Sequence, residues 1–472
     1  MPDEEALVEG PVARTLLSLA APLVAQNVVR VIQQVVDAFW VGRVGEAAVG
    51  AVGLVLPVLA AAFALLVAPF VGTQVLVSRR VGADDPGGAR AAVGAGVVLS
   101  VVIGAVVAAA LGIGAPRIVA LLGAGPDVGP LAAAYLAVVG AGLPLAGASD
   151  AVEAGYTGWG ATRLSLAVNV ATVGVNLALD PVLVLGLGPA PPLGVRGAAY
   201  ATVAGYAAGL GLALALLSRR RVLALAPASL APSRADLRRL LAVGAPVTGR
   251  RLLSAAVRVV LVGVVAAVAG APGLAAYTVG ARVASVAFVP AQGLSQAAQS
   301  MIGQNLGAAR PDRADRTALV GVGLAAGLLA AVGAVQWLVP GPLATAFVPD
   351  LSAAGRAHAR AYLRILAYGY PAIGAADLVV AGFNAATRTR VGLVADLLKY
   401  WGVRLPVASL ALPAVGPPVG VGAVFWAVTA SNVAAAAGLA AYFARERRRG
   451  LFAGDPASGS GTESGSGSEA GD

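Results

Sequence analysis

Residues 144–163, PLAGASDAVEAGYTGWGATR, recur 227 positions later as residues 371–390, PAIGAADLVVAGFNAATRTR. Asp150 falls on Asp377, Gly155 on Gly382 and Arg163 on Arg390. The register continues upstream: Pro22 pairs with Pro246 at an offset of 224, and Gly82 with Gly307 and Pro86 with Pro311 at 225. A near-constant offset across three segments marks an internal duplication, so one fold is built twice.

Composition says what each copy is made of. Of 472 residues, 58% are hydrophobic and 12% charged, with no cysteine and a single lysine, Lys399. A soluble domain carries about 25% charged residues, and the mean hydropathy here is +0.83. Too few charges exist to cover a water-facing surface of this size, which argues against an extended soluble enzyme, a coiled coil or a disulfide-stapled module. Without cysteine there is no thiol chemistry and no thiolate zinc site. A net charge of +10 suggests nucleic acid at first sight. Nucleic-acid footprints, however, cluster basic residues on one polar face, whereas these arginines punctuate long apolar runs. The first ten residues are acidic and lack a basic n-region, so no cleaved signal peptide is expected.

A transmembrane helix needs about 20 mainly apolar residues. Twelve such runs lie between charge clusters and Gly/Pro punctuation: 15–42, 51–78, 91–113, 129–155, 164–187, 197–217, 238–266, 273–302, 317–339, 357–383, 391–413 and 421–444. They are continuous rather than alternating, which favours helices over a β-barrel. One alternate set of loops holds Arg14, Arg79, Arg80, Arg90, Arg163, Arg219–Arg221, Arg310, Arg313, Arg316, Arg388, Arg390 and Arg445–Arg449, among others. The opposite set holds Arg43, Arg117, Arg196, Arg356 and Arg360. Positive charge stays inside, so both termini are expected in the cytoplasm of a multi-pass protein of the cell's inner membrane. Six spans per copy, an even number, make the repeats parallel. The expected organisation is a short N-terminus (1–14), an N-terminal lobe (15–217), a linker (218–237), a C-terminal lobe (238–444) and a basic, then acidic, Gly/Ser-rich tail (445–472). The expected fold is all-α: two pseudo-symmetric six-helix bundles around a central cleft.

Several motifs resemble the multidrug and toxic compound extrusion (MATE) family. They are VVDAFWVGRVG around Asp37, GTQVLVSRRVGADD from Gly72, NLALDPVLVLG around Asp180 and AQSMIGQNLGAARPDRA around Gln304. The resemblance covers residues 14–445. It implies a V-shaped pair of six-helix lobes that exports amphipathic, often cationic, compounds by antiport against inward protons or sodium. It carries no expectation of a cofactor, and the expected state is a monomer.

Ionisable residues inside spans are expensive in lipid and so are functional candidates. The first span carries Asn27, Arg30, Gln33, Gln34 and Asp37 at steps that share one helical face. The fifth carries Asn169, Thr172, Asn176 and Asp180 in the same way. Asp37 and Asp180 fall at similar depth in the outer half, near the start of the sixth span with Tyr200 and Thr202. Two carboxylates in one poorly hydrated pocket do not both ionise cheaply, so such a pair is suited to take up and release a proton. Asn176, Gln34 and Thr202 offer hydrogen bonds or oxygen ligands to a small cation. Pro22 and Pro181 each remove a backbone hydrogen bond and favour a bend. Resemblance to the DinF-like branch implies the same coupling set: Asp37, Asn176 and Asp180. The structural alternative is an ion pair between Asp37 and Arg30.

Asp150, Glu153 and Asp377 lie near the expected inner ends of their spans, where pairing with Arg163, Arg388 or Arg390 is the plain expectation. Asp377 also occupies the region where the resemblance to the NorM-like branch implies an essential acid. That branch has a glutamate in the seventh span, whereas this chain places Arg250, Arg251 and Arg258 there. Arg282, Arg364, Lys399 and Arg404 add to the C-lobe cations, and Asp396 and Lys399 are spaced to pair. If several of these cations line the cleft, the lobe favours anionic or zwitterionic cargo. His358 is expected to be a solvent-exposed loop residue, and Trp40 an interface anchor. The Gly-rich runs lack the Lys-Ser/Thr of a phosphate loop, and no energising ATPase motif is found. A lipid or lipid-linked oligosaccharide flippase is the main alternative, favoured by the C-lobe arginines. An embedded enzyme lacks a nucleophile–base pair or metal cluster. A passive channel does not explain paired acids in only one lobe.

Overall fold

A computed structural model describes residues 10–188, 191–219, 227–348, 351–412 and 420–453. The first nine residues, residues 220–226 of the expected linker and the Gly/Ser-rich tail lie outside the described residues. Among the described residues every regular element is helical. The first half contributes α1 (Val12–Val44), α2 (Glu46–Gly82), α3 (Pro86–Leu121), α4 (Gly129–Ala141), α5 (Leu143–Trp159), α6 (Thr162–Leu185) and α7 (Val195–Arg219). The second contributes α8 (Arg234–Ala287), α9 (Val289–Gly307), α10 (Pro311–Leu338), α11 (Pro340–Phe347), α12 (Ala353–Ala385), α13 (Arg390–Leu397), α14 (Leu405–Ser409) and α15 (Gly422–Arg448).

Among the described residues, nine helices are long and apolar enough to cross a membrane unaided. Breaks inside spans account for the difference from twelve. The fourth span is the pair α4 and α5, bent by 43° at Gly142. The 54-residue α8 is two spans divided at Gly270, whose φ of 53° and ψ of −148° suit glycine, with Pro272 just beyond. The eleventh span runs through α13, a π-helical segment Leu398–Arg404, and α14. Helices α1 and α6 continue through Pro22 and Pro181.

Within the first half, α6 packs on α7 and α1, and α3 packs on α5 and α2; within the second, α12 packs on α10 and α15. Between the halves, α1 lies on α9, and α2 lies on α8 and α9. The duplication is visible in that interface as a reciprocal contact. A Cβ on Gly82 would lie 1.9 Å from the Gln304 carbonyl oxygen, and one on its counterpart Gly307 would lie 2.0 Å from the Arg79 carbonyl oxygen. Gln304 stands 225 residues after Arg79, so one contact is the image of the other. Only glycine lets the two backbones come this close.

Polar bonds seal the same end. Gln74 donates to Ser300 Oγ and to the Gln296 carbonyl, both at 2.9 Å, and Gln304 donates to the Gly158 carbonyl at 2.8 Å. The chain's two ends also meet here: Arg313 at the start of α10 donates to the Gly10 carbonyl, and Arg447 forks onto Asp315. Both ends of the described chain therefore leave on one side of the bundle. Further along the helices Val35, Phe39 and Val259 are exposed.

Candidate functional site

A cavity of about 450 Å³ opens inside the first half, between α1, α2, the α4–α5 pair, α6 and α7. Asp37, Gln33, Gln34 and Arg30 line it from α1, Asn169 and Thr172 from α6, and Thr202 from α7. Asp37 and Asp180 come within hydrogen-bonding reach of each other. Asp180 is 1% exposed, and among the described residues no N–H or O–H group donates to either of its oxygens. Two carboxylates are both acceptors, so this contact is a hydrogen bond only when a proton lies between them. The Asn176 amide sits beside Asp37 with its nitrogen 3.0 Å from Asp37 Oδ1 and its oxygen accepting from the Thr202 N–H at 3.3 Å. Gln33 contacts the same Asn176 amide at 2.9 Å. The i, i+3, i+4 spacing on α1 and α6 thus brings the two polar stripes face to face.

The structure sorts the remaining candidates. Thr172 and Thr202 turn their hydroxyls back to the Val168 and Ala198 carbonyls, at 3.0 and 2.9 Å. Asn27 and Asp377 line a second cavity, of about 590 Å³, between the two halves, and Arg30 and Gln34 border both cavities. Tyr200 is a correction. It is 47% exposed and does not line the first cavity, because two residues along a helix from Thr202 is nearly the opposite face.

Arg30 does not make the ion pair with Asp37; its guanidinium lies 3.9 Å from Asp150. The plain expectation for Asp150 and Glu153 also fails. Helix α5 runs on to Trp159, which carries both acids inward from the helix end, and both line the first cavity. Glu153 accepts from Gln26 Nε2 at 2.6 Å and from Ser165 Oγ at 3.2 Å. Asp377 lines the central cleft with Arg250 and Arg251, and Arg388 pairs with Glu446 instead. Tyr135 and Tyr206 also line the first cavity and were not singled out in the sequence. Isolated aromatics in Ala/Val-rich runs carry no periodic signal.

In the second half, Asp396 pairs with Lys399 at 2.9 Å, as its spacing predicts, and with Arg250 at 2.8 Å. Arg404 donates to Ser431 and Asn432, both at 2.9 Å, and lies over the Tyr400 ring. Arg364 lies over Trp337. Arg251 lines the central cleft and makes no ion pair among the described residues. No group of three or more His, Cys, Asp or Glu residues suited to a metal ion occurs among the described residues.

The sequence pattern of the MatE family matches twice, over residues 22–182 and 246–410, in the register of the duplication. An FAD transporter of Shewanella oneidensis is 25% identical over 411 residues, spanning 87% of this chain and 90% of that protein. The "Probable multidrug resistance protein NorM" of Deinococcus radiodurans is 30% identical over 463 residues, spanning 93% and 97%. A solved outward-facing conformation of a multidrug resistance MATE family transporter superimposes with a TM-score of 0.88 at 24% identity, covering 95% of this chain and 98% of that one.

Proposed function

Because the chain belongs to the MATE family of multi-pass membrane transporters, we propose that it is a secondary active exporter that antiports amphipathic compounds against inward protons. The observation that carries this reading is the facing pair Asp37 and Asp180, with the Asp180 oxygens buried and, among the described residues, without a donor. A proton entering the cavity joins the two carboxyls; its departure leaves two like charges in a site of low polarity, which pushes α1 and α6 apart. Pro22 and Pro181 lie on these two helices and weaken the backbone ladder that resists the movement. In this reading the protein sits in the plasma membrane as a monomer with both termini in the cytoplasm, and the cleft, sealed at Gly82 and Gly307, faces outward.

The test uses proteoliposomes with imposed gradients. Export of a cationic dye driven by a pH gradient should be lost in Asp37→Asn, with membrane insertion intact. A sodium gradient alone should drive no export in the parent protein. Full pH-driven export in Asp37→Asn, or export driven by sodium alone, overturns the reading.

A second reading concerns cargo. Arg251 lines the central cleft without an ion pair among the described residues, beside Arg250 and Arg30, and this favours an organic anion. The FAD transporter among the relatives and the flippase alternative both take anionic cargo in this sense. Competition of dye export by a flavin nucleotide, set against transbilayer movement of an anionic lipid, separates the three.

A further inference from the structure

Glu153 is the buried acid that the coupling pair does not use. It is 3% exposed, and among the described residues it makes no ion pair, since Arg30 is turned to Asp150. An ionised carboxylate held this way in a membrane span, with no counter-charge in contact, is costly. Its donors are neutral, the Gln26 amide at 2.6 Å and the Ser165 hydroxyl at 3.2 Å, whose single proton is shared between Glu153 and Gln26 Oε1 at 3.3 Å. Both donors take the same oxygen, Oε2, which leaves Oε1 to hold a proton, and among the described residues no group of three or more His, Cys, Asp or Glu forms a metal ligand set there.

A second observation points to the same place. Ser149 Oγ and Asn169 Oδ1, on residues each 4% exposed, line the cavity that Glu153 lines and have no hydrogen-bond partner among the described residues. Unsatisfied buried polar atoms along a cavity wall are stations for water or a transferred proton. Asp37 borders that cavity too. Gln26 precedes Asp37 by eleven residues on α1, which at 1.5 Å per residue places the two acid sites about 16 Å apart along the helix.

We propose that Glu153 is a second proton-binding carboxylate, loaded through the cavity that Asp37 also lines and read out by Gln26. The charged and titratable groups that face it or share its cavity are Arg30 and Asp37 on α1, Asp150 on α5, Tyr135 on α4 and Tyr206 on α7. Gln26 stands one turn after Pro22 and two residues after Val24, whose backbone nitrogen would lie 2.8 Å from a Cβ on Gly293 of α9. An ionised Glu153 holds Gln26 by a charge-assisted bond, and protonation weakens that grip. The close contact of α1 with α9, beside the seal, therefore senses the second proton directly.

The inference rests on proton antiport and is tested by its stoichiometry. In proteoliposomes with the membrane potential clamped at zero, the pH gradient that just balances a substrate gradient gives the proton count. A tenfold substrate gradient is balanced by about half a pH unit for two protons and about one unit for one. The parent protein should balance near the first value and Glu153→Gln near the second. The same balance point in both overturns this inference and leaves antiport standing, whereas a parent protein that balances at no pH gradient overturns both. Should Glu153→Gln not transport, infrared titration of the detergent-solubilised proteins decides. A protonated-carboxyl band present in the parent and in Asp37→Asn should be missing from Glu153→Gln, and its persistence there overturns the inference.

Discussion

At the scale of single residues, the account turns on acids placed where lipid would exclude them. Asp180 is held within reach of Asp37 by two helices whose polar stripes were legible from spacing alone, because i, i+3 and i+4 steps define a face whatever the tertiary fold. Asp180→Asn replaces one of two facing acceptors by an amide that donates to Asp37 without a shared proton. It should therefore keep the fold and lose pH-driven export as Asp37→Asn does, which dye efflux checks. Asp85, outside the membrane-spanning segments, plays a different part. It caps α3, accepting from the Gly88 N–H at 2.7 Å, and pairs with Arg80. The backbone N–H and the guanidinium hold its carboxyl below the ordinary aspartate range. A depressed folded-state value contributes stability above the unfolded value and loses it as pH falls through the folded one. Asp85→Ala should lower stability by about 1 kcal/mol, the usual weight of an N-cap. Thermal unfolding in detergent should show the deficit at neutral pH and a smaller one in acid.

At the scale of elements, twelve apolar runs were readable because the hydrocarbon core demands length and apolarity from every span. Their interruptions were not. The 43° break at Gly142, the φ of 53° at Gly270 and the π-helical Leu398–Arg404 leave hydropathy unchanged. The fourth span shows the consequence. Its expected end at residue 155 put Asp150 and Glu153 near the surface, whereas the break at Gly142 and a helix reaching Trp159 put them on the cavity wall. Tertiary pairing of acids with Arg30 and Gln26 from another helix has no local signature, so no spacing argument could have found it. The seal between α2 and α9 makes its own prediction. A methyl at Gly307 meets the Arg79 carbonyl at 2.0 Å, a distance real side chains do not occupy. Gly307→Ala should therefore force that end open. The chain has no cysteine, so a single one introduced at Ser300 reports cleanly. Its labelling from the side bearing the termini should rise several-fold in Gly307→Ala, and an unchanged rate would show that the backbone contact does not form the seal.

At the scale of the whole molecule, the duplication supplies the frame and the two copies then diverge. The first half gathers acids around its cavity. The second ties Asp396 to Arg250 and Lys399 and leaves Arg251 facing the cleft. This asymmetry was legible in part: the arginines stood out in the sequence, but which of them reach the cleft depended on packing. In the proposed reading it gives cation coupling to one lobe and much of cargo selection to the other. Arg251→Gln should consequently alter the affinity for anionic competitors of dye export while leaving the proton ratio unchanged. The central claim, that the facing pair Asp37 and Asp180 holds the proton exchanged for cargo, is tested most directly without a membrane. Cargo is added to the purified protein in weakly buffered detergent solution containing a pH-sensitive dye. The account predicts proton release on cargo binding to the parent protein and a markedly smaller release from the Asp37→Asn, Asp180→Asn double variant. Equal release from both would contradict it.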